Sequence, residues 1–254
     1  MAEIRPIRCV HLYPAHLNLY GDYGNLIALE QRARWREIPW QGVVPIHPGQ
    51  PVDFSDYDLV FIGGGQDQQQ RLVADDLVQD KASSLRREVE LGLVVLAVCG
   101  GFQLLGRKYI TANGEEITGA GLFPAETEAG EGRLIGNVLA SCTLPGVGTL
   151  VGFENHSGRT WLDHGAEPLA HVECGFGNNG QDKGEGIVHG TAIGTYLHGS
   201  LLPKNPRLTD WLLGQALRRQ GLEAELAPLD DRLEEMAHQC AADRAKVTAM
   251  HAET

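Results

Sequence analysis

Cys99 sits in LGLVVLAVCGGFQLLGRKYI, residues 91–110, where an apolar run stops on one cysteine and two glycines before a helical pattern resumes. A thiol at a strand end that opens a helix faces the positive end of that helix, which lowers its pKa and raises its thiolate fraction. Gly100 and Gly101 allow a sharp turn and a close backbone approach, as in the strand-to-helix elbow of α/β hydrolases, where the amide after the nucleophile donates to an oxyanion. The alternative for Cys99 is a small buried hydrophobe that ends a strand. A thiolate needs a base. Among ten histidines, His198 in TAIGTYLHGSLLP ends a strand-like run just before a glycine turn, while His156 in VGFENHSGRT competes from a loop. A third strand end, FIGGGQD at 61–67, lacks the lysine of a phosphate loop and the spacing of a dinucleotide fingerprint. An amide from Gly64 or Gly65 there can supply a second oxyanion donor beside that of Gly100.

These groups act only if strands deliver them to one edge. Ile7–Leu12, Gly42–Ile46, Leu59–Ile62 and Leu93–Val98 read as short buried strands; Asn25–Arg36, Ala74–Leu91 and Gly101–Lys108 read as helices between them. Strand, helix, strand in repetition implies a mostly parallel sheet covered on both faces, a three-layer αβα sandwich. From Thr111 to Gly194 the chain turns rich in Gly, Thr and Val, with strand-like pieces at Leu134–Ala140, Leu150–Phe153, Ala170–Cys174, Gly186–His189 and Ala192–Leu197. These are expected to form a partly antiparallel edge of the same sheet. A helix over Asp210–Gln220 takes Asp210 as its N-cap, and a last helical segment over 228–253 carries little apolar surface. One domain over 1–222 with a helical extension over 223–254 is the expected organisation.

Composition removes whole classes of function. With 43% hydrophobic and 21% charged residues in a 254-residue chain, a folded globular core is expected. Twenty-one basic against 33 acidic residues give a net charge of −12, which disfavours nucleic acid and anionic lipid as partners. Five scattered cysteines without a CxxC pair suggest neither a disulfide framework nor a zinc site, so no metal is expected. The N-terminus lacks a signal-peptide core and no window is apolar enough to span a membrane, which together point to the cytoplasm.

The glycine-rich loop, the cysteine elbow and the distal histidine together resemble the class I glutamine amidotransferases, whose flavodoxin-like fold is then the one expected. Ordinary members carry a glutamate two residues after the histidine. Here Gly199 and Ser200 follow His198, a departure similar to the cobyric acid synthase-like branch. The blocks LNLYGDYGNLIALEQRA, FIGGGQDQQQ, VCGGFQLLGRKYI, IVGFENHSGRT, FGNNGQDKGEGI and GTYLHGSLLPKNPRLTDWLL resemble, in order, the GatD-type glutaminase subunits of lipid II isoglutaminyl synthase.

The resemblance implies that Cys99 attacks the side-chain amide of L-glutamine and that His198 serves as base and then as acid. It links Arg133, in EGRLIGNV, and Gln103 to binding the substrate, and a guanidinium can grip the α-carboxylate bidentately. It implies a heterodimer with a Mur ligase-like synthetase subunit, MurT. That partner uses ATP and magnesium to amidate the D-glutamate α-carboxyl of lipid II, and no cofactor is expected in this chain. A cobyrinate-type amidotransferase serving another acceptor is the alternative. Because no acid stands at position 200, an aspartate or glutamate of the partner is expected to orient His198.

Overall fold

The computed structural model describes residues 5–252 apart from residue 224. The last residue of the helical segment expected over 228–253, residues 224, 253 and 254 of the extension expected over 223–254, and the first four residues of the N-terminal stretch searched for a signal-peptide core lie outside the described residues. In chain order the first half folds as β1 (Ile7–Leu12), α1 (Tyr23–Trp35), β2 (Trp40–Ile46), β3 (Leu59–Ile62), α2 (Asp67–Asp76), α3 (Ala82–Glu90), β4 (Val94–Val98) and α4 (Gly100–Leu105). The second half adds β5 (Lys108–Ile110), β6 (Glu116–Thr118), β7 (Ala125–Cys142), β8 (Thr149–Leu162), β9 (Ala170–Cys174), β10 (Gly184–Glu185), β11 (Ile187–His189), β12 (Ala192–Thr195), α5 (Pro206–Arg219) and α6 (Arg232–Ala252).

The apolar runs LVFI of β3 and VVLAV of β4 are buried at every position, as strands covered on both faces must be. They lie at the centre of a sheet ordered β11-β12-β4-β3-β1-β2. Its strands are parallel except for β11, which pairs antiparallel with β12. This is the α/β architecture with a mostly parallel central sheet that the alternation implied. Register sets Ile62 beside Ala97 and Thr195 beside Val98, so β3, β4 and β12 end at the same level. The three loops after them leave the sheet from one edge, where open α/β sheets place their ligands.

The second half departs from the expected single sheet. Only β11 and β12 join the central sheet; β10, β9, β7, β5 and β6, with β8 paired to β7, build a second one. The physical reason is length. β7 and β8 run for 18 and 14 residues and pair antiparallel along almost all of them, which satisfies their backbone groups without the central sheet.

Helices also differ in detail. The single helix expected over 74–91 is two, joined by a π-turn at Leu77–Lys81, where buried Lys81 reaches Asp76 at 2.5 Å. Asp210 is not the N-cap of α5, which Asn205 precedes; it lies inside the helix and pairs with Arg32 at 2.7 Å and Arg36 at 2.7 Å. α6 packs Ala242 and Ala245 against Leu139 of β7 and Val151 of β8. Among the described residues no helix is long and apolar enough to cross a membrane.

Candidate active site

A strand that must turn at once into a helix has few backbone solutions, and Cys99 takes an uncommon one, with φ 48° and ψ −104°. A non-glycine residue held there costs about 1–3 kcal/mol and persists only where its surroundings enforce it. Cys99 N–H donates to Thr195 O at 2.8 Å, and Gly101 N–H donates to Gly63 O at 3.1 Å, which tie the elbow to the ends of β12 and β3. The elbow therefore carries the thiol to the edge where three strands end, leaving it 8% exposed.

Glycine is required around it for space. A Cβ on Gly100 would lie 2.7 Å from Gly65 N, and one on Gly101 would lie 2.6 Å from Ile62 O. The same construction at Gly64 shows how closely the groups converge: its Cβ would lie 2.9 Å from His198 Cε1, 3.3 Å from Asp22 Oδ2 and 3.5 Å from Cys99 Cβ. His198 is buried and held from both sides. Its backbone N–H donates to Phe153 O of β8 at 2.8 Å, while Glu185 fixes the residues before it by accepting from Thr195 Oγ1 at 2.5 Å and Tyr196 N at 3.0 Å.

Burial alone pushes the His198 pKa down. The negative charge of the Cys99 thiolate and the carboxylate of Asp22 outweigh it and raise the value to about 10. A protonated imidazole beside a thiolate is the arrangement of an activated cysteine nucleophile. Burial raises the pKa of Cys142 and, with the charges of Asp58 and Glu30, that of Cys9, which disfavours a thiolate at either position.

A cavity of about 430 Å³ opens over Cys99, walled by Tyr20, Gly65, Gln103, Arg133 and His156 among others. Arg133 stands where the pairing of β7 with β8 shifts register between Ala129 and Leu134. Its Nε and Nη2 donate to the side chain and backbone oxygens of Asn155, each at 2.7 Å, and Nη1 has no partner among the described residues. His156 lines the same cavity but stacks on Tyr196 at 3.6 Å between ring centroids and donates Nδ1–H to Gly158 O at 2.7 Å.

Two of the expected residues have polar groups already engaged within the fold. The amide of Gly64 is not free for an oxyanion, because it donates to Asp22 Oδ2 at 2.6 Å. Gly65 and Gly100 donate to no acceptor among the described residues and sit against each other at the elbow, so they are the pair able to receive one. Gln103 lines the cavity with both ends of its amide engaged, Oε1 accepting from Gln70 at 2.8 Å and Nε2 donating to Tyr196 at 3.1 Å. That geometry suits a wall residue that fixes its neighbours.

Asp22 is the residue sequence reasoning missed. Its carboxylate, fully buried, lies 3.5 Å from His198 Nδ1, so an acid of this chain stands where one from a partner was expected. An aspartate before a helix reads as a cap, and no spacing in the sequence links position 22 to 198. Only its place in the block LNLYGDYGN could have signalled it.

Comparison with known proteins bears on this arrangement. Residues 8–206 match the CobB/CobQ-like glutamine amidotransferase domain. The chain is 44% identical to the lipid II isoglutaminyl synthase (glutamine-hydrolyzing) subunit GatD of Staphylococcus aureus (strain N315), over 92% of this chain and 94% of that protein. It is 37% identical to the subunit of the same name from Streptococcus pneumoniae (strain ATCC BAA-255 / R6), over 89% of this chain and 87% of that one. Among solved structures, PurLQS from Thermotoga maritima shares the fold, with a TM-score of 0.55 at 18% identity over 85% of this chain and 96% of that one.

Proposed function

Because the chain belongs to the CobB/CobQ-like glutamine amidotransferase family, and within it to the GatD-type subunits of lipid II isoglutaminyl synthase, we infer that it hydrolyses glutamine through Cys99 and His198 for that synthase. The observation that carries the residue assignment is the convergence of the strained Cys99 elbow and the buried His198 around Gly64.

Each step follows from the groups in place. The Cys99 thiolate adds to the side-chain amide carbon of glutamine, and the carbonyl electron pair moves onto oxygen. The amides of Gly65 and Gly100 receive that oxyanion; a single such donor contributes about 10²–10³ in kcat in enzymes of this kind. His198 then gives its proton to the amide nitrogen, the carbon–nitrogen bond breaks and ammonia leaves, with a γ-glutamyl thioester left on Cys99. Water attacks the thioester while His198 takes its proton, and glutamate departs with thiolate and imidazolium restored. Arg133 holds the substrate α-carboxylate with the guanidinium face that Asn155 leaves open, fixing the amide over the thiolate.

The ammonia goes to a Mur ligase-like partner, MurT, which uses ATP and magnesium to activate the D-glutamate α-carboxyl of lipid II. This chain then works in the cytoplasm as the amide-donor half of a heterodimer. The test is ammonia release from glutamine by the full chain, with and without that partner, for wild type and Cys99→Ser. Release that needs Cys99, and amidation of lipid II only with the partner present, is expected. Activity retained in Cys99→Ser overturns the nucleophile, and amidation of a cobyrinate-type acceptor instead overturns the assignment of lipid II.

A further inference from the structure

An aspartate just ahead of a helix ordinarily turns its carboxylate back onto the amides of that helix's first turn. Asp22 precedes α1 and makes no such bond. Its side chain points away from its own helix. Oδ2 accepts from Gly64 N–H at 2.6 Å, and Oδ1 lies 3.5 Å from His198 Nδ1. Asp22 Oδ1 and His198 Nδ1 are both buried and neither has another partner among the described residues. A buried carboxylate oxygen left alone is costly, and so is a buried imidazolium N–H; facing each other, each offsets the other's loss of water.

The turn that carries Asp22 is itself held by the chain that carries His198. Ser200 Oγ donates to Gly21 O at 2.7 Å, and a Cβ on Gly24 would lie 2.3 Å from that same hydroxyl oxygen. Position 200 thus lacks an acid of its own but anchors the segment that brings one.

We propose that Asp22 is the positioning residue of this site, a carboxylate that orients the His198 imidazole with one oxygen and fixes the glycine loop after β3 with the other. This rests on the glutaminase reading above. With Nδ1 turned toward the carboxylate, Nε2 is the nitrogen left to exchange protons with Cys99 and the leaving amide. The Gly64 bond holds the adjacent Gly65 amide in register with Gly100, so one side chain aligns the base and the oxyanion donors together. No partner carboxylate is then needed for His198.

The groups that face His198 from the surrounding elements are Asp22 ahead of α1, Cys99 at the elbow and Tyr20, whose ring lies edge-on at 4.9 Å. Glu185 acts on it from behind Thr195 and Tyr196. Of these, only Asp22 touches Nδ1. The experiment measures glutamine hydrolysis across pH by the full chain, together with its synthetase partner, as wild type, Asp22→Asn and Cys99→Ala. Asn keeps an oxygen for the Gly64 amide but loses the charge. Asp22→Asn is expected to lower kcat at least about tenfold, since loss of the orienting acid in related triads costs up to about 10⁴. KM should stay within about twofold, because Asp22 does not face the cavity, and the alkaline limb of the pH–rate profile should move to lower pH.

An unchanged kcat, or a fall in kcat with the alkaline limb unmoved, overturns the proposal. Activity that survives in Cys99→Ala shows instead that the glutaminase reading itself fails. Should Asp22→Asn not fold, nitrogen NMR of the wild-type His198 ring decides. A proton held on Nδ1 through neutral pH supports the proposal, and a bare Nδ1 overturns it.

Discussion

Gly100→Ala places one methyl group at the point where the elbow and the glycine loop meet. Its Cβ would lie 2.7 Å from Gly65 N, 2.8 Å from Gly65 O and 3.2 Å from Gln70 Nε2. Carbon contacts are most favourable at about 3.5–4.0 Å, so the first two distances force backbone apart by several tenths of an ångström. The atoms that move carry the two amides assigned to the oxyanion. Loss or misplacement of one such donor costs about 10²–10³ in kcat, and a shift short of 1 Å suffices, so a fall of about 10²-fold, or ~2.7 kcal/mol of barrier, is expected. Overpacking costs about 1–3 kcal/mol of stability, partly offset by about 1 kcal/mol from alanine's better helix propensity. The assay is steady-state glutamine hydrolysis beside thermal unfolding of the same preparation. A folded Gly100→Ala protein with kcat within about threefold of wild type would refute the assignment of these amides.

Arg133→Ala removes the proposed carboxylate grip and leaves the elbow intact, so KM for glutamine should rise at least about tenfold with kcat changed far less; the reverse pattern would place Arg133 in the chemistry. His198 has a folded-state pKa raised to about 10 from an ordinary 6.5. Its charge therefore stabilises the fold fully below about pH 6.5, and the contribution is lost as pH rises through about 10. The gap in melting temperature between wild type and His198→Gln should narrow over that interval, and a constant gap would show that the imidazole is not charged in the fold. Arg32, 3% exposed, joins α1 to Asp210 of α5 and to Asp231 ahead of α6. Arg32→Ala should destabilise by about 1–3 kcal/mol in denaturant unfolding, because it leaves Asp231 without its ion-pair partner while Asp210 keeps Arg36, and KM for glutamine should stay near wild type.

Where short apolar runs ended in glycine, sequence and structure agree closely. Leu59–Ile62 and Ala170–Cys174, each followed by glycine, are strands with the very bounds read from composition; the first is buried at every position and leaves a continuous apolar signal, the second alternates buried and exposed side chains, and glycine marks the end of both. Cys99 was legible for the same reason, since its strand, its glycines and its helix are contiguous. The second sheet was not. Its longest strand includes AETEAGEGR, which holds no large apolar residue to signal a strand, and its pairing is set by partners far along the chain. The acceptor of Gly64 and the role of Asp22 were missed together for a related reason. A glycine amide gives no sign of its acceptor, and a contact across 42 positions is made by the fold alone.

The central claim is that glutamine hydrolysis runs through a covalent intermediate on Cys99, and trapping that intermediate tests it most directly. The full chain, turning over glutamine, is quenched in acid, digested and read by mass spectrometry for a γ-glutamyl thioester. The account predicts the adduct on the peptide carrying Cys99, absent in Cys99→Ala and absent from Cys9, Cys142, Cys174 and Cys240. Ammonia released with no adduct on Cys99, or an adduct on one of the other four thiols, would contradict it.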